Sequence, residues 1–167
     1  MTILLGFLHG AHVLGAVLWI GSLFTLGHVT SPSAETLETI HRVRLMGPVI
    51  QRTSRLGWIG LILLILTGVH LLFHSHISLF TYLGRMILLK LMIVGIMIGA
   101  FVYAHFALFA DYRKYLAKID ENLTPDESSK VVRFLDELRV SIGRWFRFVA
   151  YSGLLILLLI EIGIYLG

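Results

Sequence analysis

Four apolar stretches constrain this 167-residue chain more than any other feature, each close to the ~20 residues an α-helix needs to cross about 30 Å of hydrocarbon. They run roughly over 3–26, 56–73, 84–106 and 146–166. Hydrophobic residues make up 57% of the chain and charged residues 14%, against about 45–50% and about 25% in soluble domains. A buried helix of a large soluble protein can be as apolar, but four of them in so short a chain leave too little polar surface. The expected fold is an all-α membrane protein, a single domain over 1–167 built as a four-transmembrane-helix bundle. Residues 1–30 hold no Lys or Arg, whereas a signal peptide opens on a basic region. The first stretch is therefore read as a retained helix.

The connections carry the charge. In the first, Ser31-Pro32 reads as an N-cap with proline at the first helical position. It opens a short interfacial helix over 34–46 that ends near Gly47-Pro48. In the third, Leu108, Tyr112, Leu116 and Ile119 extend helix three with helical spacing. Thr124-Pro125-Asp126-Glu127 then starts a new helix, with Thr124 as cap and Glu127 closing a capping box. Leu135, Leu138, Ile142 and Trp145 carry one apolar stripe into helix four. Helices three and four are thus expected to extend into a cytoplasmic hairpin over about 107–145, packing on itself in water or docking a partner. The first connection holds four Arg and the third eight Lys or Arg, while the second, over 74–83, has none. By the positive-inside rule, connections one and three are cytoplasmic and both termini lie outside. The net charge of +4 reflects this bias, so the bilayer and not nucleic acid is the expected partner. Cysteine is absent, which excludes disulfides, thiolate metal sites and iron–sulfur clusters.

Ionisable residues inside a bilayer are costly and default to functional roles. Here they are His9 and His12 in helix one, His70 at the end of helix two, Lys90 in helix three and Glu161 in helix four. His74 and His76 follow helix two. Counting about 1.5 Å per residue puts His9, His70, Lys90 and Glu161 all roughly 7–9 Å outside the midplane. His9 and His12, three apart, are expected to share a face, as are His70 and His74, four apart. Gly6…Gly10 and Gly95…Gly99 are small-xxx-small patterns that allow close helix approach or a homodimer. His28 and His41 read as solvated residues of the cytoplasmic connection. His105 lies on the inner side, where a second site would need it with His28.

Neutral imidazoles in an apolar bundle suit haem iron, and also copper or zinc. A dedicated copper path favours Met and Cys, and Met86, Met92 and Met97 form no cluster in sequence. A haem b site needs one or two axial ligands, here from His9 or His12 with His70, His74 or Lys90. It also needs a cation for the propionates, here Arg85 or Lys90. Glu161 and Lys90 could form a proton relay or an ion pair. The bland reading has each histidine as a helix–helix hydrogen-bond partner, Lys90 snorkelling to the surface and the glutamate in a structural pair.

The stretch from Phe7 to Phe24, with His9, His12 and Trp19-Ile20-Gly21, resembles the opening of the copper-resistance D (CopD-like) membrane domain. Leu66-Thr67-Gly68, Tyr82-Leu83-Gly84-Arg85 and Leu89-Lys90-Leu91 are similar to later motifs of that family. The layout is also similar to the HemJ-type protoporphyrinogen oxidases, in which a helix-one His and a Lys-Leu in a later helix are implicated as haem b ligands. On this sequence those positions are His9 or His12, and Lys90. The chain departs from the HemJ type in its helix-two histidines and its long hairpin. It also lacks the extra helices of full-length copper-resistance D proteins. The resemblance implies a haem-associated redox protein or a copper-handling one in the membrane, the bacterial inner membrane being the expected location.

The leading expectation is a haem b membrane protein that exchanges electrons near the outer face with a redox partner or a quinone. As an enzyme it would be a haem-dependent oxidoreductase. The alternatives are a copper-binding or copper-transport module, and a structural or assembly subunit.

Overall fold

In the computed structural model, described over residues 2–74, 81–119 and 125–166 with the side chains of 2, 157 and 159–166 excepted, the chain is all α-helical. Helix α1 (Thr2–Phe24) passes through a π-helical segment, Thr25–Thr30, into the single turn α2 (Ser31–Ser33) and a 3₁₀ turn, Ala34–Thr36. Helix α3 (Thr39–His74) is followed by α4 (Tyr82–Tyr103), a second π segment at Ala104–Leu108, α5 (Phe109–Lys118) and α6 (Pro125–Leu166). Three continuous helical stretches, Ile3–Thr36, Thr39–His74 and Tyr82–Lys118, are long and apolar enough to cross a membrane. Large apolar side chains such as Phe7, Val17, Leu66 and Met92 lie exposed along them, as a lipid-facing surface requires. The chain is accordingly read as a membrane protein.

Two boundaries differ from the sequence reading. Ser31 is not an N-cap: its backbone is α-helical, and its side chain makes no capping bond but accepts from Arg139 Nη1 at 3.0 Å. The helix passes the Ser31-Pro32 step by widening into the π segment just before it. Nor does a separate helix end at Gly47-Pro48. Helix α3 runs straight through with Pro48 inside it, although an interior proline forfeits one backbone bond. Packing offsets that loss. Tyr112 Oη donates to the Val43 carbonyl at 2.6 Å, and bare Gly47 lets Leu116 and Tyr112 approach, a Cβ there lying 2.7 Å from Leu116 Cδ2. At the start of α4, Thr81 caps by accepting from the Gly84 amide at 3.1 Å. Thr124, the expected cap of α6, lies outside the described residues.

Helices α1 and α3 cross in a constant antiparallel register. A Cβ at Gly15 would lie 2.9 Å from the Leu64 amide nitrogen, and one at Gly60 would lie 2.6 Å from that of Trp19. Ser22 stands against Gly57, and His12 against Thr67 and Gly68. The seam therefore follows positions 12, 15, 19 and 22 of α1, at the heptad spacing of closely packed helices. Helix α6 packs on both α1 and α4, with Ile20 against Gly153 and Phe101 against Phe146. Trp19, Leu23, Leu61, Met97, Phe101 and Val149 are among the buried residues that close the core.

The hairpin is not packed on itself alone. Tyr115 meets Phe134 edge-on at 4.7 Å, as an α5–α6 pair should. Arg139, however, is only 3% exposed and reaches out of the hairpin to Ser31 and, at 3.8 Å, to Glu35. Asp136 takes Arg139 Nε at 2.9 Å and faces Arg42 Nε at 3.2 Å. Of the expected stripe, Leu135 and Ile142 are buried and Leu138 packs against them, but Trp145 is exposed and Phe146 takes the core position. The stripe shifts by one residue because an α-helix does not divide evenly into heptads.

Candidate functional site

The α1–α3 register sets levels. Thr67 pairs with His12 and Leu64 with Gly15, so His70, three residues beyond Thr67, stands level with His9. On α4, Phe101 meets Trp19 edge-on at 6.3 Å. Lys90 precedes Phe101 by as many residues, within one, as His9 precedes Trp19. His9, His70 and Lys90 thus lie near one level along the helix axes. On α6, the pairings of Gly153 with Ile20 and of Arg147 with Gly27 carry Glu161 to the level of His12 and Val13. The Glu161 side chain and all of His76 lie outside the described residues, so the ion pair with Lys90 does too.

Sharing a level is not sharing a face. His9 is exposed, its Nδ1 donating to the Leu5 carbonyl one turn back at 3.0 Å. His70 and His74 are exposed and stacked on each other, 4.2 Å between ring centroids, with His74 Nδ1 donating to the His70 carbonyl at 2.9 Å. Arg85 is exposed and Lys90 half-buried. His12 alone of these histidines turns into a helix–helix seam. His9 and His12 are neighbours on α1, but residues three apart differ by about 60° in direction, so His9 stays exposed while His12 reaches the seam. Only position 12 falls on the line of Gly15 and Trp19.

The surroundings of His12 fix its proton. The Thr67 hydroxyl lies 2.9 Å from His12 Nδ1 and 2.7 Å from the Leu63 carbonyl oxygen. A hydroxyl has one proton to give, and the carbonyl can only accept, so Thr67 donates to Leu63 and accepts from His12 Nδ1–H. The imidazole then carries its free lone pair on Nε2. Gly68, next on α3, supplies the room: a Cβ there would lie 3.0 Å from His12 Cε1. A ring nitrogen held protonated by a neighbour, leaving the other bare, is how ligating histidines are prepared.

His28 and His105 occupy the two π segments. His28 is not solvated: it stacks on Phe24 at 4.4 Å and its Nε2 lies 2.7 Å from Tyr151 Oη on α6. His105 stands among Trp58, Phe101, Phe106 and Phe109, with Trp58 edge-on at 5.7 Å. One faces α6 and the other α3, so the structure does not bring them together. His41 is the solvated one, exposed and 3.7 Å from Glu38.

Among the described residues no three His, Asp or Glu side chains converge as a metal cage. Gly6, Gly10, Gly95 and Gly99 meet nothing within 4 Å; in the α1–α3 seam the close contacts fall on Gly15, Gly57, Gly60 and Gly68 instead. The sequence holds a signal for this seam in the 12–15–19–22 spacing of α1 and the 57–60–64–67 spacing of α3. A cleft of about 860 Å³ opens at the far end of the molecule, between the starts of α3 and α6, remote from His12. Compared with models of known families, with curated proteins and with solved structures, the chain matches none.

Proposed function

We propose that this protein is a haem b-binding integral membrane protein acting in electron transfer near the outer face, in which His12 would hold the haem iron. In this reading it is a four-transmembrane-helix bundle with both termini outside and the α5–α6 hairpin in the cytoplasm. The observation that carries the assignment is the His12–Thr67–Leu63 chain of hydrogen bonds, which holds the ring proton on Nδ1 and leaves the lone pair on Nε2. The resemblance to the CopD-like and HemJ-type proteins implies His9 or His12 as a ligand, and Lys90, half-buried at a neighbouring level, is the second ligand it suggests. Arg85 at the start of α4 would pair with a propionate. The donor set fits a haem, because the porphyrin supplies four equatorial nitrogens and the protein need add only one or two.

When bound, the haem supplies a one-electron couple whose potential follows from its axial ligands and burial. The chain's own contribution is orientation. Thr67 holds the imidazole in one tautomer, Gly68 lets the ring approach α3, and the bare helix surface at Gly6 and Gly10 would give a flat ligand access. His9 and His74 hold the same tautomer through backbone carbonyls, but on exposed faces.

Copper binding is the second reading. The absence of a convergent set of three ligands among the described residues favours haem over a closed copper cage. A reduced-minus-oxidised visible spectrum of protein made with ample haem and purified in mild detergent tests the choice. Sharp α and Soret bands that vanish in His12→Ala and persist in His74→Ala support the assignment. Full haem content in His12→Ala, or a featureless wild-type spectrum, overturns it.

A further inference from the structure

A second polar constellation lies at the opposite end of α1. The apolar stretch of α1 ends just before Gly27-His28, and that of α6 begins at Phe146-Arg147. Both therefore meet at the inner edge of the hydrocarbon, where lipid phosphates reside. The π segment Thr25–Thr30 widens α1 at this point, as π-bulges often do at functional sites.

Gly27 lies directly under the stem of Arg147, a Cβ there falling 2.7 Å from Arg147 Cγ. Any larger residue would push the arginine away. One turn along α6, Tyr151 Oη lies 2.7 Å from His28 Nε2. Residues four apart on a helix share a face, so Arg147 and Tyr151 are adjacent on α6 over Gly27 and His28. His28 Nδ1 is buried with no hydrogen-bond partner among the described residues. Orphaned buried N–H groups are rarer than orphaned acceptors, which places the ring proton on Nε2. That nitrogen donates to Tyr151 Oη, and the tyrosine's own proton is left to donate elsewhere. Tyr151 is 56% exposed, and among the described residues no carboxylate pairs with Arg147. The face thus offers a cation and a polarised hydroxyl donor, with no carboxylate paired to the cation among the described residues.

We propose that the α1–α6 face formed by Gly27, His28, Arg147 and Tyr151 binds a phosphate group, that of an anionic phospholipid of the inner leaflet. The arginine binds the charge and the tyrosine hydroxyl donates to a phosphate oxygen. His28 positions the tyrosine by holding its oxygen. Phosphate at the cytoplasmic side between transmembrane helices is the setting in which such basic pockets act.

The test titrates the purified full-length protein in mild detergent with phosphatidylglycerol and, separately, with phosphatidylcholine, reading lipid retained per protein by native mass spectrometry. The wild type should prefer phosphatidylglycerol. Arg147→Gln should cut that preference about tenfold, and the conservative Tyr151→Phe by a few-fold, since hydrogen bonds to a charged group are the stronger kind. Arg52→Gln removes the same charge from an exposed position on α3 and should leave the preference intact. Equal losses from Arg52→Gln and Arg147→Gln would reduce the effect to general surface charge and overturn the site. So would an unchanged preference in Tyr151→Phe, a variant that keeps the ring and hence the fold. Displacement of phosphatidylglycerol by millimolar inorganic phosphate would assign the face to a soluble phosphate compound and overturn the lipid assignment.

Discussion

His12 and Thr67 meet across the α1–α3 crossing at 2.9 Å, and the hydroxyl that receives the imidazole proton passes its own to the Leu63 carbonyl. A polar chain of this kind needs every member. Thr67→Val keeps the shape but strands the ring N–H, at a cost of about 1–3 kcal/mol. Haem affinity should fall about 10- to 100-fold, as for other partners that orient a ligand. Thr67→Ser should retain most of both. Haem titration of the three proteins, followed at the Soret band, checks the order.

The glycines divide into two classes with opposite expected responses. Gly60→Ala places a Cβ 2.6 Å from the Trp19 amide nitrogen and 2.8 Å from the Gly15 carbonyl oxygen. Neither is a flexible side chain, so the helices must separate, at about 1–3 kcal/mol or more. Gly95→Ala and Gly99→Ala meet nothing and should be neutral or gain up to about 1 kcal/mol of helix propensity. Thermal unfolding in detergent separates the classes. A destabilised Gly99→Ala protein would instead reveal a second copy packed on that face.

Asp136 is the common partner of two arginines. Removing it in Asp136→Ala leaves Arg139, only 3% exposed, with Ser31 and a distant Glu35. Stranding one member of a buried pair costs about 3–5 kcal/mol, and the partial exposure of Asp136 argues for the lower end. The hairpin should loosen from α2 and α3, read as faster proteolysis between α5 and α6. Asp126→Ala, which breaks only an exposed pair with Lys130, should change stability by about 0–1 kcal/mol.

Tyr112→Phe removes the 2.6 Å bond to the Val43 carbonyl that braces α3 one turn before Pro48. The expected loss is about 0.5–1.5 kcal/mol, and amide exchange around Val43 and Gly47 should rise. If the bond supports the proline-bearing turn, Pro48→Ala in the same background should recover part of the loss by restoring a backbone donor.

Hydropathy made the long helices legible, because an apolar run of membrane length has few other uses. Charge placement marked the polar hairpin, and the depth count located His9, His70 and Lys90 near one level before any side chain was known. What the count lacked was rotation. A register error is invisible at the level of depth, and an error of about 60° about the axis separates a lipid-facing His9 from a seam-facing His12. Within the chain the glycine patterns meet no partner helix, for the same reason. Spacing of four marks Gly6…Gly10 and Gly95…Gly99 as readily as any packing pair, but contact depends on which side the partner helix arrives from.

The sequence by itself determined the solvent each segment prefers, through burial free energy that is nearly additive over residues. It thereby determined which helices are long and apolar enough to cross a membrane and where the polar connections fall. Only the tertiary structure decided which polar atoms find each other: His12 with Thr67, Arg139 with Ser31, His28 with Tyr151. Those pairings depend on the crossing of helices far apart in the chain and on directional bonds that tolerate only a few tenths of an ångström. No local pattern of residues encodes that geometry.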